Sequence, residues 1–156
     1  MRAVSLDEVA PVAQQWSGPG PRVRLMIPDD LPLVRTDPVL LERVLANLFA
    51  NAAAHSPGRR APFMSAQCAG GSVLIDVVDR GQGVADDLKA RIFEPFVRLD
   101  GRSGTGVGLG LAVAKGFTEA MGGSLTAVDT PGGGLTMRVT LPVAAVPASD
   151  AVTVDP

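Results

Sequence analysis

Between positions 37 and 56 the chain reads DPVLLERVLANLFANAAAHS, and Leu41, Leu45, Leu48 and Ala52 recur there at helical spacing. Val44 and Phe49 flank that stripe, which must be buried. Asp37 stands where a helix N-cap is needed, and Pro38 occupies the first helical position, where its missing N–H is harmless. Pro57-Gly58 ends the pattern. Elsewhere the period drops to two. Val23, Leu25 and Ile27 alternate with Arg22, Arg24 and Met26. Residues 63–69 and 72–79 alternate around Gly70-Gly71 and predict a hairpin. Residues 124–129 and 134–141 predict a second, with Leu135, Met137, Val139 and Leu141 on one face.

Weaker patterns fill the rest. Residues 2–6 and 33–35 predict brief strands. A helix over 7–16 has Val9, Val12, Ala13 and Trp16 inward. A short helix over 86–93 has Asp86 as its cap. A helix over 107–121 carries Leu109, Val113, Phe117, Ala120 and Met121 on its apolar stripe. Strands that alternate cleanly have one dry face, and three substantial helices are available to cover it. The expected fold is α/β (α+β): a two-layer sandwich with a mixed, mostly antiparallel sheet. It spans 1–142, and the aperiodic stretch 143–156 reads as a disordered tail.

Composition narrows the classes. With 156 residues and 46% hydrophobic content, one domain with a full core is expected. A net charge of −2 supplies no basic field for nucleic acid. A single cysteine, Cys68, excludes an internal disulfide, fits a reducing compartment, and reads as a small apolar strand residue. No run of 18 apolar residues is present. The chain reads as soluble, and whether it is cut from a larger membrane protein stays open.

Three stretches offer chemistry. Asn47 and Asn51 are one turn apart beside the buried stripe, although Asn costs up to ~0.7 kcal/mol against Ala in a helix. A solvated flank explains them equally well on this helix alone. The sharper reading is a pair of amides aimed into a cleft, offering carbonyl oxygens to a hard cation. Asp79 continues the inward parity of Val73, Ile75 and Val77, while Asp76 points to water. An inward carboxylate followed by Gly81 and Gly83 suits a buried ligand's exocyclic amine, though an Asx-turn would explain it alone. Finally, GTGVGLGL over 104–111 runs into a helix N-terminus, an arrangement that binds anions. A linker would not interleave Val107, Leu109 and Leu111 with its glycines, and neither a Walker nor a Rossmann pattern fits.

Two asparagines on a helix, strand-Asp-x-Gly-x-Gly, Phe93-Glu94-Pro95-Phe96, then a glycine-rich loop entering a helix: in that order the chain resembles the catalytic and ATP-binding domain of sensor histidine kinases. The resemblance covers about 5–142. Residues 119–141, EAMGGSLTAVDTPGGGLTMRVTL, look most like its potassium-responsive branch.

The resemblance implies that Asn51 holds the magnesium bridging the ATP phosphates, with Asn47 supporting phosphate or metal. Asp79 would accept the adenine amino group, with Gly81 and Gly83 making room for the ring. Phe93 and Phe96 would anchor a lid over 94–106, and Arg98 would lie near the phosphates. Gly106, Gly108 and Gly110 would offer backbone to the phosphates, with Thr105, Val107 and Leu109 interleaved in the same loop. His55 takes the place of a cleft-lining aromatic, or is simply a polar helix end. Ala54 departs from the family, which often carries Lys or Arg there, unless Arg59 or Arg60 substitutes.

The resemblance also implies partners. These are an upstream dimerisation and histidine phosphotransfer domain and, through the full-length kinase, a response regulator. The domain itself would be a monomer on the cytoplasmic side of a membrane-anchored sensor. The only histidine is His55, so the phospho-acceptor is not in this chain. A hydrolase of the gyrase or Hsp90 kind is the second reading. Those relatives place a Glu at Asn47 to activate water, which an amide cannot do. A nucleotide-free interaction module is the third, resting on Ala54 alone.

Overall fold

The computed structural model describes residues 1–18, 21–56, 60–95 and 110–145. In chain order these form β1 (Arg2–Val4), α1 (Leu6–Gln15), β2 (Arg24–Met26), β3 (Val34–Thr36), α2 (Pro38–His55), β4 (Phe63–Ala69) and β5 (Ser72–Val78). Two 3₁₀ turns follow (Asp86–Leu88 and Arg91–Phe93), then α3 (Gly110–Ala120), β6 (Ser124–Asp129) and β7 (Leu135–Pro142).

One five-stranded sheet has the order β2-β4-β5-β7-β6, and only β2 and β4 run parallel. β1 and β3 form a separate two-stranded antiparallel ribbon. The hairpin between β4 and β5 turns on Gly70 and Gly71, both at positive φ, as a two-residue turn that follows strand twist requires. Alternation then sorts β5 and β7. Val73, Ile75 and Val77 meet Leu141, Val139 and Met137 in register, and all six are buried. On the open face Asp76 takes both ends of the Arg138 guanidinium, at 2.8 and 2.9 Å. That bidentate pairing holds Arg138 above its ordinary pKa.

α2 is the spine of the helical layer. Asp37 Oδ1 caps it by accepting from the Val39 and Leu40 amides. Leu41, Val44, Leu45, Leu48, Phe49 and Ala52 are all buried along it. α1 and α3 pack on either side. Burying a leucine is worth about 1.5–3 kcal/mol, so this one face supplies much of the core's stabilisation.

Several expectations are corrected. α1 begins at Leu6, capped by Ser5, and ends at Gln15. Its buried residues are Leu6, Val9, Ala10, Ala13 and Gln14, while Trp16 stands 74% exposed beyond the last turn. Gln14 turns inward because its amide pairs with both backbone groups of Val23. In α3 the buried residues are Ala114 and Thr118, with Met121 just beyond, whereas Val113 is exposed. Thr118 tolerates burial by donating to the Ala114 carbonyl at 2.7 Å. The 86–93 helix is instead two 3₁₀ turns, and Asp86 caps neither, binding Lys89. Cys68 lies in β4 but is exposed. Beyond β7, Val143 bridges Val34 and the Ala144 amide donates to Leu33 at 2.8 Å, so pairing runs past 142.

Candidate functional site

Asp79 follows directly on β5 and is 3% exposed. Parity along the strand drives it inward, and the backbone then holds it. Its Oδ1 accepts from the Gly81 amide at 2.9 Å and the Leu135 amide at 3.2 Å. Its own amide donates to the Leu135 carbonyl at 3.0 Å. Oδ2 has no hydrogen bond among the described residues. Among the described residues the carboxylate is thus held through Oδ1 alone. The Asx-turn expected as the plain alternative is present, and it is what orients the carboxylate.

The two glycines after Asp79 have local reasons. A Cβ on Gly81 would collide with the His55 carbonyl oxygen, which belongs to the backbone and cannot yield. Gly83 sits at φ +76, close to the Gly134 carbonyl. Room for a ligand ring was the expected role. The space Gly81 leaves is occupied by the end of α2. That close approach fixes the helix bearing Asn47, Asn51 and His55 against the Asp79 turn. Gly134, which the sequence reading did not single out, belongs here too. At φ +112 its Cα faces the Asp79 carbonyl so closely that no side chain fits. The GGG run was the available signal.

Along α2, Asn47 is half-buried and its amide nitrogen donates to the Gly110 carbonyl at 3.1 Å. That bond brings α2 to the first residue of α3 and leaves the Asn47 oxygen as an acceptor. Asn51 is half-buried, with no hydrogen bond to a described residue. His55 is exposed at the helix end, and so are Ala54 and Arg60. Phe93 packs against the core from the second 3₁₀ turn, with the Lys115 ammonium of α3 5.3 Å above its ring. Phe96, Arg98, Thr105, Gly106, Val107, Gly108 and Leu109, most of the expected lid over 94–106, and Arg59 all lie outside the described residues.

Below the Asp79 turn, Lys89 gathers the loop. Its ammonium reaches the Val84 carbonyl at 2.9 Å, Asp86 at 2.5 Å and Asp129 at 2.9 Å. The hydrogen bond and charge of Lys89 hold Asp86 below its ordinary pKa. Hydrogen bonds to Asp86 and Asp129 raise that of Lys89. An open depression lined by Gln82, Gly83, Val84, Ala85, Asp129, Thr130, Gly133 and Gly134 lies beside this brace. It includes none of Asn47, Asn51 or Asp79.

Residues 36–145 match the family described as histidine kinase-, DNA gyrase B-, and HSP90-like ATPase. The chain belongs to that family. Among its relatives, the sensor protein KdpD of Rathayibacter rathayi is 49% identical over 150 residues, covering 95% of this chain and 17% of that protein. The chain thus spans less than a fifth of the length of that relative. The crystal structure of full-length ShkA in complex with AMPPNP superposes with a TM-score of 0.74 at 30% identity, covering 94% of this chain and 32% of that one. The NMR structure of the histidine kinase domain of the E. coli osmosensor EnvZ gives a TM-score of 0.69 at 28% identity, covering 100% of this chain and 96% of that one. The five-stranded mixed sheet with its helical layer is the architecture of these kinase domains. No helix among the described residues is long and apolar enough to cross a membrane.

Proposed function

We propose that this chain is the ATP-binding catalytic domain of a KdpD-type sensor histidine kinase, holding ATP and presenting its γ-phosphate to a histidine on a separate domain. The observation that carries the reading is Asp79. It is a buried carboxylate pinned by two amides, with its second oxygen bonded to no described residue, beside the end of α2 that lies two turns beyond Asn47. Its free oxygen suits the adenine amino group.

Asn51 offers a half-buried amide oxygen, a hard donor that fits magnesium. No cluster of three or more His, Cys, Asp or Glu exists among the described residues, so an ion here would take most of its ligands from phosphate and water. Asn51 would hold the ion, whose charge would supply neutralisation for phosphoryl transfer. The protein's own part is positioning. Asp79 fixes the base, α2 runs alongside the nucleotide, and the Asn47–Gly110 bond aligns the N-terminus of α3 with α2. An amide at 47, its nitrogen already donating, cannot deprotonate water, which favours transfer over hydrolysis. Arg98 and the loop with Thr105, Gly106, Val107, Gly108 and Leu109 would complete the phosphate side. Full-length partners would be an upstream dimerisation and phosphotransfer hairpin and a response regulator, in a membrane-anchored sensor.

ATP with magnesium should raise the melting temperature. At 100 times the dissociation constant, linkage gives ~2.7 kcal/mol, or roughly 5–10 °C. No shift at millimolar ATP would leave only an interaction module. With radiolabelled ATP the chain alone should neither label itself nor release phosphate, and adding the upstream hairpin should restore transfer to its histidine. Asn51→Ala should abolish that transfer while leaving the fold intact. Robust phosphate release by the chain alone would make it a hydrolase.

A further inference from the structure

The carboxylate is only half of what holds Asp79. Its backbone carbonyl accepts from the Thr130 hydroxyl at 3.1 Å, and that hydroxyl lies 2.9 Å from the Thr136 hydroxyl. Thr130 is 6% exposed and Thr136 4%. A hydroxyl carries one proton. Thr130 gives its proton to Asp79, so Thr136 must be the donor between the two threonines. The result is a directed chain, from Thr136 to Thr130 to the Asp79 carbonyl, whose second bond alone reaches across 51 residues of sequence.

The turn that carries Thr130 is itself closed, by Thr130 N–H to Gly134 at 3.1 Å and Gly133 N–H to Thr130 at 2.9 Å. Gly134 abuts the Asp79 carbonyl from the same turn. Valine would fill either threonine site equally well. Two buried hydroxyls in series, ending on the residue that bears the site's carboxylate, point to orientation rather than filling.

We propose that Thr130, itself oriented by Thr136, is a positioning residue that sets where the Asp79 carboxylate meets the base and thereby sets the preference for adenine. This rests on the nucleotide reading given above and deepens it. The Asp79 carbonyl fixes the peptide plane after Cα. With Oδ1 committed to Gly81 and Leu135, a tilt of that plane displaces Oδ2, the remaining acceptor. Thr130 touches no ligand in this scheme and acts through Asp79.

The test is calorimetric titration of ATP, GTP and inorganic triphosphate, each with magnesium. The proteins are the unmodified chain, Thr130→Val, Thr130→Ser, Thr136→Val, and Asp79→Asn with and without Thr130→Val. Thr130→Val should weaken ATP roughly tenfold, leave triphosphate unchanged and narrow the ATP-to-GTP ratio. Serine at 130 should restore both, and Thr136→Val should act in the same direction more weakly. In the Asp79→Asn background, Thr130→Val should cost ATP nothing further. A lower melting temperature with an unchanged ATP-to-GTP ratio overturns the proposal, as does additivity with Asp79→Asn. Should Thr130→Val fail to fold, Thr136→Val decides by the same ratio. An unmodified chain that binds no ATP sinks the nucleotide reading itself. Tight ATP binding that ignores both threonines sinks only this inference.

Discussion

Around Asp79, the end of β5 and the turn before β7 exchange a closed set of hydrogen bonds, and a glycine seals the gap between them. Around Asn47 and Asn51, among the described residues, one bond from Asn47 to Gly110 joins α2 to α3, and Asn51 has no partner. The two ends thus divide the work. On the proposed reading, the Asp79 end would receive the base and is preorganised by backbone, so recognition there would cost little reorganisation. The Asn47–Asn51 end would present amide groups to phosphate and metal. Substitutions at the first should disturb folding and base choice together. At the second, a change at Asn47 should cost stability through the lost Gly110 bond, and one at Asn51 should disturb chemistry with little loss of stability.

The largest effect should come from Gly134→Val. A side chain at φ +112 is strained, and its Cβ would enter the Asp79 carbonyl and the Arg80 backbone. Together these cost about 3 kcal/mol, a fall in Tm of roughly 10 °C. Gly116→Ala is the matched control. It lies in α3 with open space around it, and should stabilise by up to ~1 kcal/mol. Equal melting curves for Gly134→Val and the parent would mean the base end is not the sealed unit described here.

Asp79→Asn comes next. It keeps shape but replaces an acceptor oxygen with an amide. ATP affinity should fall by about 1–3 kcal/mol, with triphosphate affinity unchanged. If both fall equally, Asp79 supports the whole cleft rather than the base. Asn47→Leu should cost about 0.5–1.5 kcal/mol of stability by losing the bond to Gly110. Asn51→Ala, one turn away in the same helix, should raise the denaturant midpoint, gaining up to ~0.7 kcal/mol of helix propensity. A larger loss of stability at 51 than at 47 would reverse the division between structural and chemical asparagines.

The sequence carried the parts of this comparison that local rules decide. Asp37-Pro38 and the Leu41–Leu45–Leu48 stripe fix α2, and parity along β5 turns Asp79 inward. It did not carry what depends on which side-chain hydrogen bonds form, near or far. Gln14 looks like a solvated residue until Val23 is beside it, and that bond shifts the buried face of α1 away from Trp16. Thr118 looks polar until the Ala114 carbonyl accepts its hydrogen bond, and with it the phase of α3 moves off Val113. Asp86 fits the pattern of a cap, yet an ammonium three residues on outcompetes a short helix for its carboxylate. The Thr130–Asp79 link and the need for Gly134 are contacts between segments far apart in sequence, and periodicity records neither. The family motif at Gly81 did not disclose that residue's local task, because Gly81 yields its space to the end of α2.

The smallest expected effect is at the brace beneath the base end. Lys89 ties the loop after Asp79 to β6 through Asp86, Asp129 and the Val84 carbonyl. Asp86 is 92% exposed and Asp129 68%, so solvent screens both pairs. Lys89→Met should therefore lower Tm only on the order of 1 °C at neutral pH. The pH dependence gives the sharper signal. The folded pKa of Asp86 lies below its unfolded value of 3.8, so its contribution is fully present above that value and disappears as pH falls through the folded one. Lys89 is raised above 10.5, so its contribution is fully present below that value and is lost as pH climbs through the raised one. Between these limits the gap between Lys89→Met and the parent should be flat. It should shrink at the acid limb, leaving what the Val84 hydrogen bond supplies, and shrink again at the alkaline limb. It should also narrow in high salt at neutral pH. A gap unchanged from pH 7 to pH 2.5 would show that the carbonyl contact, not the carboxylates, holds this loop. The base end would then owe nothing to charge.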